Sequence, residues 1–243
     1  MRAPGNPATE LREAGADGWQ VRLDAPCPAA EQMRRDDAMA REAPRAAARI
    51  FLWDPPAVSF GFRQFPPAWW DPAGWAASGL EAVERPTGGG MAFHGSDVSF
   101  GIVVPRAGGL SLHEALRGAC AAVTAACRSV GAPAEGVLEA DRSRRVTYCL
   151  TEPSPYAVTV GGRKVAGVAA RRYPAAWLVQ GSILAEAPPG RLLAALPDGV
   201  RRSLERRAVA LTDCANEPMT ARGVAERLAA GWGAWWASGG PEG

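Results

Sequence analysis

The stretch TYCLTEPSPYAVTVGGRKVAGVAARRYPAAWLVQGSIL, Thr147 to Leu184, decides the fold class. Four β-type segments follow one another in it: TYCL, YAVTV, RKVAGVAAR and AWLVQGSIL. Each is rich in β-branched or aromatic residues and each is bounded by turn residues. Gly161-Gly162 reads as the hairpin turn between the second and the third. Upstream, LEAVERPTGGGMAFHGSDVSFGIVVP (80–105) reads as strand, glycine loop and strand. WQVRL (19–23), RIFLW (49–53) and AVSFGF (57–62) read as short strands, the last two around an Asp-Pro-Pro turn. Helical patterns flank these segments. PAAEQMRRDDAMAREA (28–43) has a proline suited to the first turn. Ser111 opens a strong helix with the capping box S-L-H-E, in which Glu114 is the third residue on. RLLAALP (191–197), VRRSLERRA (200–208) and TARGVAERLAAGWGAWW (220–236) follow. Strands in the middle with helices around them predict an α+β fold.

Residues 66–79 are rich in Trp, Pro and Gly and predict a loop and short helix, with Trp69, Trp70 and Trp75 as a lid over the core. Residues 135–145 read as a charged loop. No internal repeat or inner domain boundary shows. Residues 1–18 read as a polar, flexible leader, and 19–243 as a single domain.

Composition narrows the function classes. The chain has 243 residues, 47% hydrophobic and 21% charged, which suits one compact domain with a sizeable core. The net charge of +2 implies no pull toward nucleic acid or membrane surfaces. No apolar run is long enough to span a bilayer, and the N-terminus lacks the apolar core of a secretory signal. Five cysteines, odd in number and without metal-ligand spacing, point to a reduced, cytoplasmic protein. Only two histidines are present, His94 and His113, so a multi-histidine metal site is excluded. His113, in the first turn of a predicted surface helix, reads as structural. Asp36 and Asp37, mid-helix, read as solvated or as turn partners.

Of the 27 basic residues only Lys164 is a lysine. A lysine just after a hairpin turn is ordinarily exposed to solvent. An exposed lysine, however, tolerates arginine, and this sequence uses arginine everywhere else. Guanidinium is bulky and stays protonated, whereas an ammonium is compact and loses its proton readily on burial. Cys149 lies one strand and one turn upstream. If the strands pair as a sheet the two side chains can meet, and a nearby cation favours the nucleophilic thiolate. A buried core cysteine is the competing reading for Cys149, and Cys120 and Cys127, inside an Ala-rich helix, fit it. Cys27 and Cys214 fall in predicted loops. The glycine triplet Gly88–Gly90 lets backbone amides approach a ligand closely; with Arg85 before it and His94 after it, the loop carries a fixed cation and a titratable ring.

These motifs together resemble the lipoate ligase and octanoyltransferase superfamily. ERPTGGGMAFH is similar to its R-R-x-T-G-G-G-x-V-x-H signature, GGRKVAGVAARR to G-x-K-I-x-G-x-A-x-R-R, and WLVQGSIL to L-x-H-G-S-I. WDPPAVSFGFRQ and AEQMRRDDAM resemble its early strand pair and first helix. The likeness runs in order from about residue 19 to about 235. It implies a biotinyl/lipoyl-transferase fold of the class II synthetase-like kind, a mixed β-sheet with flanking helices. It also implies a tunnel for a medium-chain acyl group, shaped by Arg85, Thr87, Gly88, Gly89, Gly90 and His94, with Gln180 and Gly181 on the last strand. Lys164 is implied to contact the acyl carbonyl, and Gly167 to let that carbonyl approach backbone amides. No metal site is implied.

The superfamily divides by chemistry. Ligases activate lipoate with ATP and Mg and usually carry an accessory domain. Octanoyltransferases take the acyl group from acyl carrier protein onto a cysteine and pass it to a lysine of a lipoyl-domain or glycine-cleavage H-type protein. This chain ends about where the catalytic domain should, leaving little room for an accessory domain. CLTEPS is also similar to the C-F-x-x-P-S segment of the single-domain octanoyltransferases, with Cys149 on the nucleophile. The leading expectation is therefore a cofactor-free octanoyl or lipoyl transferase with Cys149 and Lys164 as catalytic residues. An ATP-dependent ligase subunit is second. A non-catalytic acyl- or carrier-binding module is third, suggested by Glu84 and Gln180 in place of the usual Arg and His.

Overall fold

The structure, a computed structural model, describes residues 10–14, 19–42, 45–139 and 146–237. In chain order it contains β1 (Glu10–Ala14), β2 (Trp19–Leu23), α1 (Ala29–Glu42), β3 (Ala47–Phe51), β4 (Ala57–Phe60), α2 (Pro72–Ala77), β5 (Glu81–Glu84), β6 (Ala92–His94), β7 (Asp97–Pro105), α3 (Leu112–Ser129), β8 (Ala134–Val137), β9 (Ala157–Val160), β10 (Arg163–Arg172), β11 (Ala176–Leu184), α4 (Gly190–Ala194), α5 (Asp198–Arg207) and α6 (Ala221–Ala237).

Eight strands form one sheet in the order β1-β2-β3-β7-β11-β10-β9-β8, and a small sheet has the order β5-β4-β6. Both are mixed: β2 runs parallel to β3 and β4 parallel to β5, and the other pairings are antiparallel. This is the α+β fold expected, a mixed sheet with flanking helices. β7 lies at the centre of the large sheet, and Asp97–Val104 are all buried, as a strand covered on both faces requires. Phe100, Ile102, Val158, Val165 and Val179 pack with Leu116, Ala119 and Val123 of α3 and with Val224 and Leu228 of α6. A second cluster joins Val58, Phe60 and Phe93 of the small sheet to Leu150, Leu192 and Leu204. α1 packs against β5, β7 and β11, which lodges it between the two sheets. No helix among the described residues is long and apolar enough to cross a membrane.

Several local readings hold. Ser111 Oγ accepts from Glu114 N at 3.2 Å, and Glu114 Oε2 accepts from Ser111 N at 2.7 Å, so the capping box is closed. Gly161 and Gly162 have φ of +56° and +73°, the left-handed pair that a two-residue hairpin turn needs. Trp75 is buried, with Trp69 and Trp70 packed against the same cluster, so the tryptophan segment does cover a core.

Other readings need correction. TYCL is not a strand; only Tyr148 bridges, to Met91. The Glu152 carboxylate accepts from Thr147 N and Tyr148 N at 3.1 and 3.0 Å, so the amides that a ladder would use bond within the turn. The downstream strand of the 80–105 segment is split into β6 and β7, which lie in different sheets, and the glycine loop crosses from β5 to β6, both of which pair with β4. At the start of the predicted charged loop, residues 135–137 belong to edge strand β8, paired with β9, and 140–145 lie outside the described residues. Of the predicted leader, residues 10–14 form β1 against β2, and 1–9 and 15–18 lie outside the described residues.

Candidate active site

Cys149 sits in the turn after Tyr148, pinned from the side of the glycine loop. Met91 N donates to Thr147 O at 2.7 Å and Cys149 N to Met91 O at 2.8 Å. That approach needs Gly90, where a Cβ would stand 2.8 Å from Thr147 O. From the other side comes Lys164, on β10 at the bulge between Lys164 and Ala166; such a bulge re-aims a side chain. Lys164 is only 6% exposed, so the solvent-exposed reading fails. Its Nζ donates to Cys149 O at 2.6 Å, to Ser154 Oγ at 2.6 Å and to Glu152 O at 3.3 Å. All three ammonium hydrogens are thereby used, and the lysine staples the whole 149–154 turn. A planar guanidinium does not fit three acceptors converging on one point.

Gly167 lies three residues further along β10. A Cβ there would be 2.9 Å from Cys149 Sγ and 3.6 Å from Lys164 Nζ. The thiol and the ammonium therefore both lie beside the bare Gly167 backbone of β10, brought together by the Lys164 side chain reaching the 149–154 turn and not by the strand pairing that the sequence suggested.

Arg85 shapes the glycine loop from within. Its Nη2 donates to Gly88 O at 2.8 Å and Gly90 O at 2.7 Å, and its Nη1 to Ser59 O and Oγ at 3.1 Å. Gly89 takes φ +92°. Burial pushes the Arg85 guanidinium below its ordinary range and Cys149 acts in the opposite direction, which puts this buried cation within electrostatic reach of the thiol. Gly88 faces open space, with nothing within 4 Å of a Cβ. Gly181 lines the cavity, and a Cβ there would strike the Phe100 ring.

Gln180, at the position where the family carries histidine, is held in a buried chain. Its Oε1 accepts from Thr87 Oγ1 at 2.7 Å and Thr87 N at 3.3 Å, and its Nε2 donates to Asp36 Oδ2 at 2.6 Å. Asp36 in turn pairs with Arg49, which also binds Asp24 at 2.7 Å. Asp36 is completely buried, which corrects its reading as solvated. Burial raises its carboxyl pKa, opposed by Arg49 and Gln180. Asp37, by contrast, is partly exposed beside Arg41 and accepts from the Tyr173 hydroxyl.

His94 lies flat on Trp53, with ring centroids 4.0 Å apart. Its Nε2 is 2.8 Å from Ser59 Oγ and its Nδ1 is 2.7 Å from Asp97 Oδ2. Asp97 also accepts from Gly95 N, Ser99 Oγ and Ser182 Oγ at 2.9, 2.8 and 2.6 Å. Burial works to raise the Asp97 carboxyl; His94, Ser182 and Gly95 outweigh it and hold it below the usual range. Sequence reading missed Ser59, Asp97, Ser99, Ser154 and Ser182. The spacing of Asp97, three residues after His94, was the one available clue. Glu84, the other departure from the family signature, accepts from Arg63 N at 3.1 Å and so steadies the neighbouring loop. His113, read as structural, is exposed and pairs with the Tyr156 hydroxyl.

A cavity of about 340 Å³ runs through this site, lined among others by Trp53, Gly89, His94, Phe100, Cys149 and Gly167. Its walls are mostly apolar, with the polar groups gathered at Cys149 and at His94. That form suits a medium-chain acyl group with a reactive carbonyl at one end. Of the five cysteines only Cys149 is among the residues lining it. Burial raises the thiols of Cys27, Cys120 and Cys214, and pushes that of Cys127 up to about 12, which unsuits them as nucleophiles.

Residues 28–233 match the family described as the lipoyl protein ligase A/B catalytic domain. Among curated proteins, the chain is 33% identical over 201 residues to the octanoyltransferase LipM of Kyrpidia tusciae, covering 76% of this chain and 73% of that protein. It is 30% identical over 235 residues to the octanoyltransferase LipM of Symbiobacterium thermophilum, covering 88% and 85%. Among solved structures, a lipoate-protein ligase A bound with ATP superposes with a TM-score of 0.69 at 22% identity, over 87% of this chain and 83% of that one. The bipartite lipoate protein ligase of Thermoplasma acidophilum gives 0.67 at 20%, over 87% and 81%. At these identities the structural likeness speaks for the fold.

Proposed function

The chain belongs to the lipoyl protein ligase A/B catalytic-domain family, and from that premise we propose that it is a cysteine-dependent octanoyltransferase. The acyl group comes from octanoyl-acyl carrier protein and ends on a lysine of a lipoyl-domain or glycine-cleavage H-type protein. The observation that carries this reading is Cys149 lining an apolar cavity beside Gly167, with the Lys164 ammonium just behind it on the turn that holds the cysteine. Both LipM relatives, named as octanoyltransferases, agree with it.

The chemistry proceeds in two exchanges. In the first, the Cys149 thiolate attacks the carbonyl of the donor thioester. A new C–S bond forms to Cys149, the C–S bond to the carrier breaks, and the carrier thiolate takes up a proton. One thioester replaces another, so the step is nearly isoenergetic and needs no ATP. In the second, the acceptor amine attacks the Cys149 thioester. A C–N bond forms, the C–S bond breaks, and the amine's proton passes to the departing sulfur. Negative charge on the tetrahedral oxygen develops near the buried Lys164 ammonium, with the Arg85 guanidinium acting only through the field at longer range, in a site where such charges act strongly. Gly167 leaves room for the carbonyl next to the sulfur. Lys164 holds the turn that aims the nucleophile and supplies the nearest ammonium for proton transfer. Arg85, Thr87 and Gln180 support this reading as positioning residues: they fix the glycine loop and do not reach the reacting atoms. The reaction belongs in the cytoplasm, where five unpaired cysteines stay reduced.

Intact-mass measurement after incubation with octanoyl-carrier protein, without ATP, tests the proposal. The expected result is one octanoyl group on Cys149, absent in Cys149→Ser and discharged by a lipoyl-domain acceptor. Unmodified protein that octanoylates or lipoylates the acceptor only when ATP is added would overturn it in favour of a ligase. Binding without transfer would leave an acyl-carrier module.

A further inference from the structure

The two exposed large hydrophobic side chains among the described residues are Phe62, at 38%, and Phe65, at 84%. Both lie on one loop, and that loop is fixed rather than slack. Phe62 N donates to Thr87 O at 2.8 Å, Gln64 N to Gly61 O at 2.8 Å, and Gln64 Nε2 to Thr147 O at 3.0 Å. Arg63 is held with φ +55°, and two prolines follow Phe65 directly. The loop borders the cavity: Thr147 adjoins the lining residue Val146, and Arg171, which follows the lining residue Ala170, stacks on Phe62. The guanidinium of Arg171 is 4.1 Å from the Phe62 ring centroid and that of Arg63 is 5.0 Å away. Two carboxylates lie nearby. Asp37 is engaged by Arg41 and the Tyr173 hydroxyl, and Glu84 accepts from Arg63 N.

We infer that this loop, with Arg171, is the docking face for the acidic carrier protein that delivers the acyl donor; the inference rests on the transferase reading above. An exposed aromatic pair on a hydrogen-bonded loop, flanked by arginines, is the composition of an interface anchor, since the loop backbone loses little freedom on binding and arginine and aromatic side chains carry much of the binding energy. The sign of the charge selects the partner. Arg63 and Arg171 attract an acidic surface, which is what the carrier presents. The position suits the donor as well, because a carrier seated on Phe65 stands at the border of the cavity that holds Cys149.

The test compares Cys149 acylation by octanoyl-carrier protein with acylation by octanoyl-coenzyme A, in wild type, Phe65→Ser and Arg63→Glu, read by intact mass over time. Each variant is expected to raise the KM for the carrier donor about tenfold or more while leaving acylation by octanoyl-coenzyme A within about twofold. In wild type, added salt should raise the KM for the carrier donor more steeply than that for octanoyl-coenzyme A. Equal losses with both donors would mean that the loop acts on the site itself, and would overturn the inference. So would unchanged acylation by both donors, or a loss confined to discharge onto the lipoyl domain, which would assign the face to the acceptor. If wild type takes octanoyl from neither donor, the transferase reading itself fails and the docking face falls with it; a variant defect seen against an active wild type separates the two cases.

Discussion

Replacing Gly167 with alanine tests the geometry at its tightest point. The added Cβ would lie 2.9 Å from Cys149 Sγ. Apolar atoms rest at about 3.5–4.0 Å, so the sulfur must retreat by roughly 0.6–1.1 Å. The neighbours on the lysine side are less crowded, at 3.4 Å for Cε and 3.6 Å for Nζ, so the displacement falls on the nucleophile. A misplacement of about 1 Å in a reacting group costs about 100-fold in rate, or about 2.7 kcal/mol of barrier. Stability should not fall in parallel, because alanine is favoured over glycine inside a strand by roughly 0.5–1 kcal/mol. We therefore expect Gly167→Ala to acylate Cys149 about 100-fold more slowly with octanoyl-coenzyme A, at an unchanged or higher urea midpoint. Gly88→Ala is the matched control, since nothing lies within 4 Å of its Cβ; its rate should stay near wild type. Wild-type acylation in Gly167→Ala would refute the placement of Cys149 Sγ over Gly167.

Three further outcomes follow from neighbouring contacts. Lys164→Arg is expected to abolish transfer with the fold retained, at an overpacking cost of about 1–3 kcal/mol; single-turnover transfer at the wild-type rate would remove the case for the lone lysine. Gln180→Leu leaves Asp36 and Thr87 each short of a partner and should lower stability by about 1–3 kcal/mol in urea titration, whereas an unchanged midpoint would show that the chain from Thr87 to Arg49 holds nothing together. Asp97→Asn should cost about 2–3 kcal/mol at pH 7, since charged hydrogen bonds are lost. The Asp97 carboxyl is held below its ordinary value in the folded state, so its contribution is present above about pH 4 and is lost as pH falls through the folded value. The gap between wild type and variant should accordingly narrow as pH falls below about 4; a gap that does not narrow at all there contradicts this assignment.

What the sequence determined by itself is local or periodic. Alternation in WQVRL and AWLVQGSIL marked β2 and β11, the S-L-H-E box marked the start of α3, and Gly161-Gly162 marked its hairpin, because each depends on neighbours in the chain. The lone lysine among arginines marked a buried, fully engaged position, since guanidinium and ammonium differ in shape whatever the fold. What tertiary structure alone decided is long-range. TYCL reads as a strand until Glu152 captures its amides. Asp36 reads as solvated until β3 brings Arg49 beneath it. Gln180, which lines the cavity, shows its hold on Thr87 and Asp36 only when α1 and the glycine loop close on either side of it. Ser59, Asp97 and Ser182 gain a role only when three strands set them around His94. The cysteine and the lysine meet because a bulge in β10 turns Lys164 toward the turn that Met91 holds in place. Pairing across a sheet depends on register between distant segments, and a single chain carries no local trace of it.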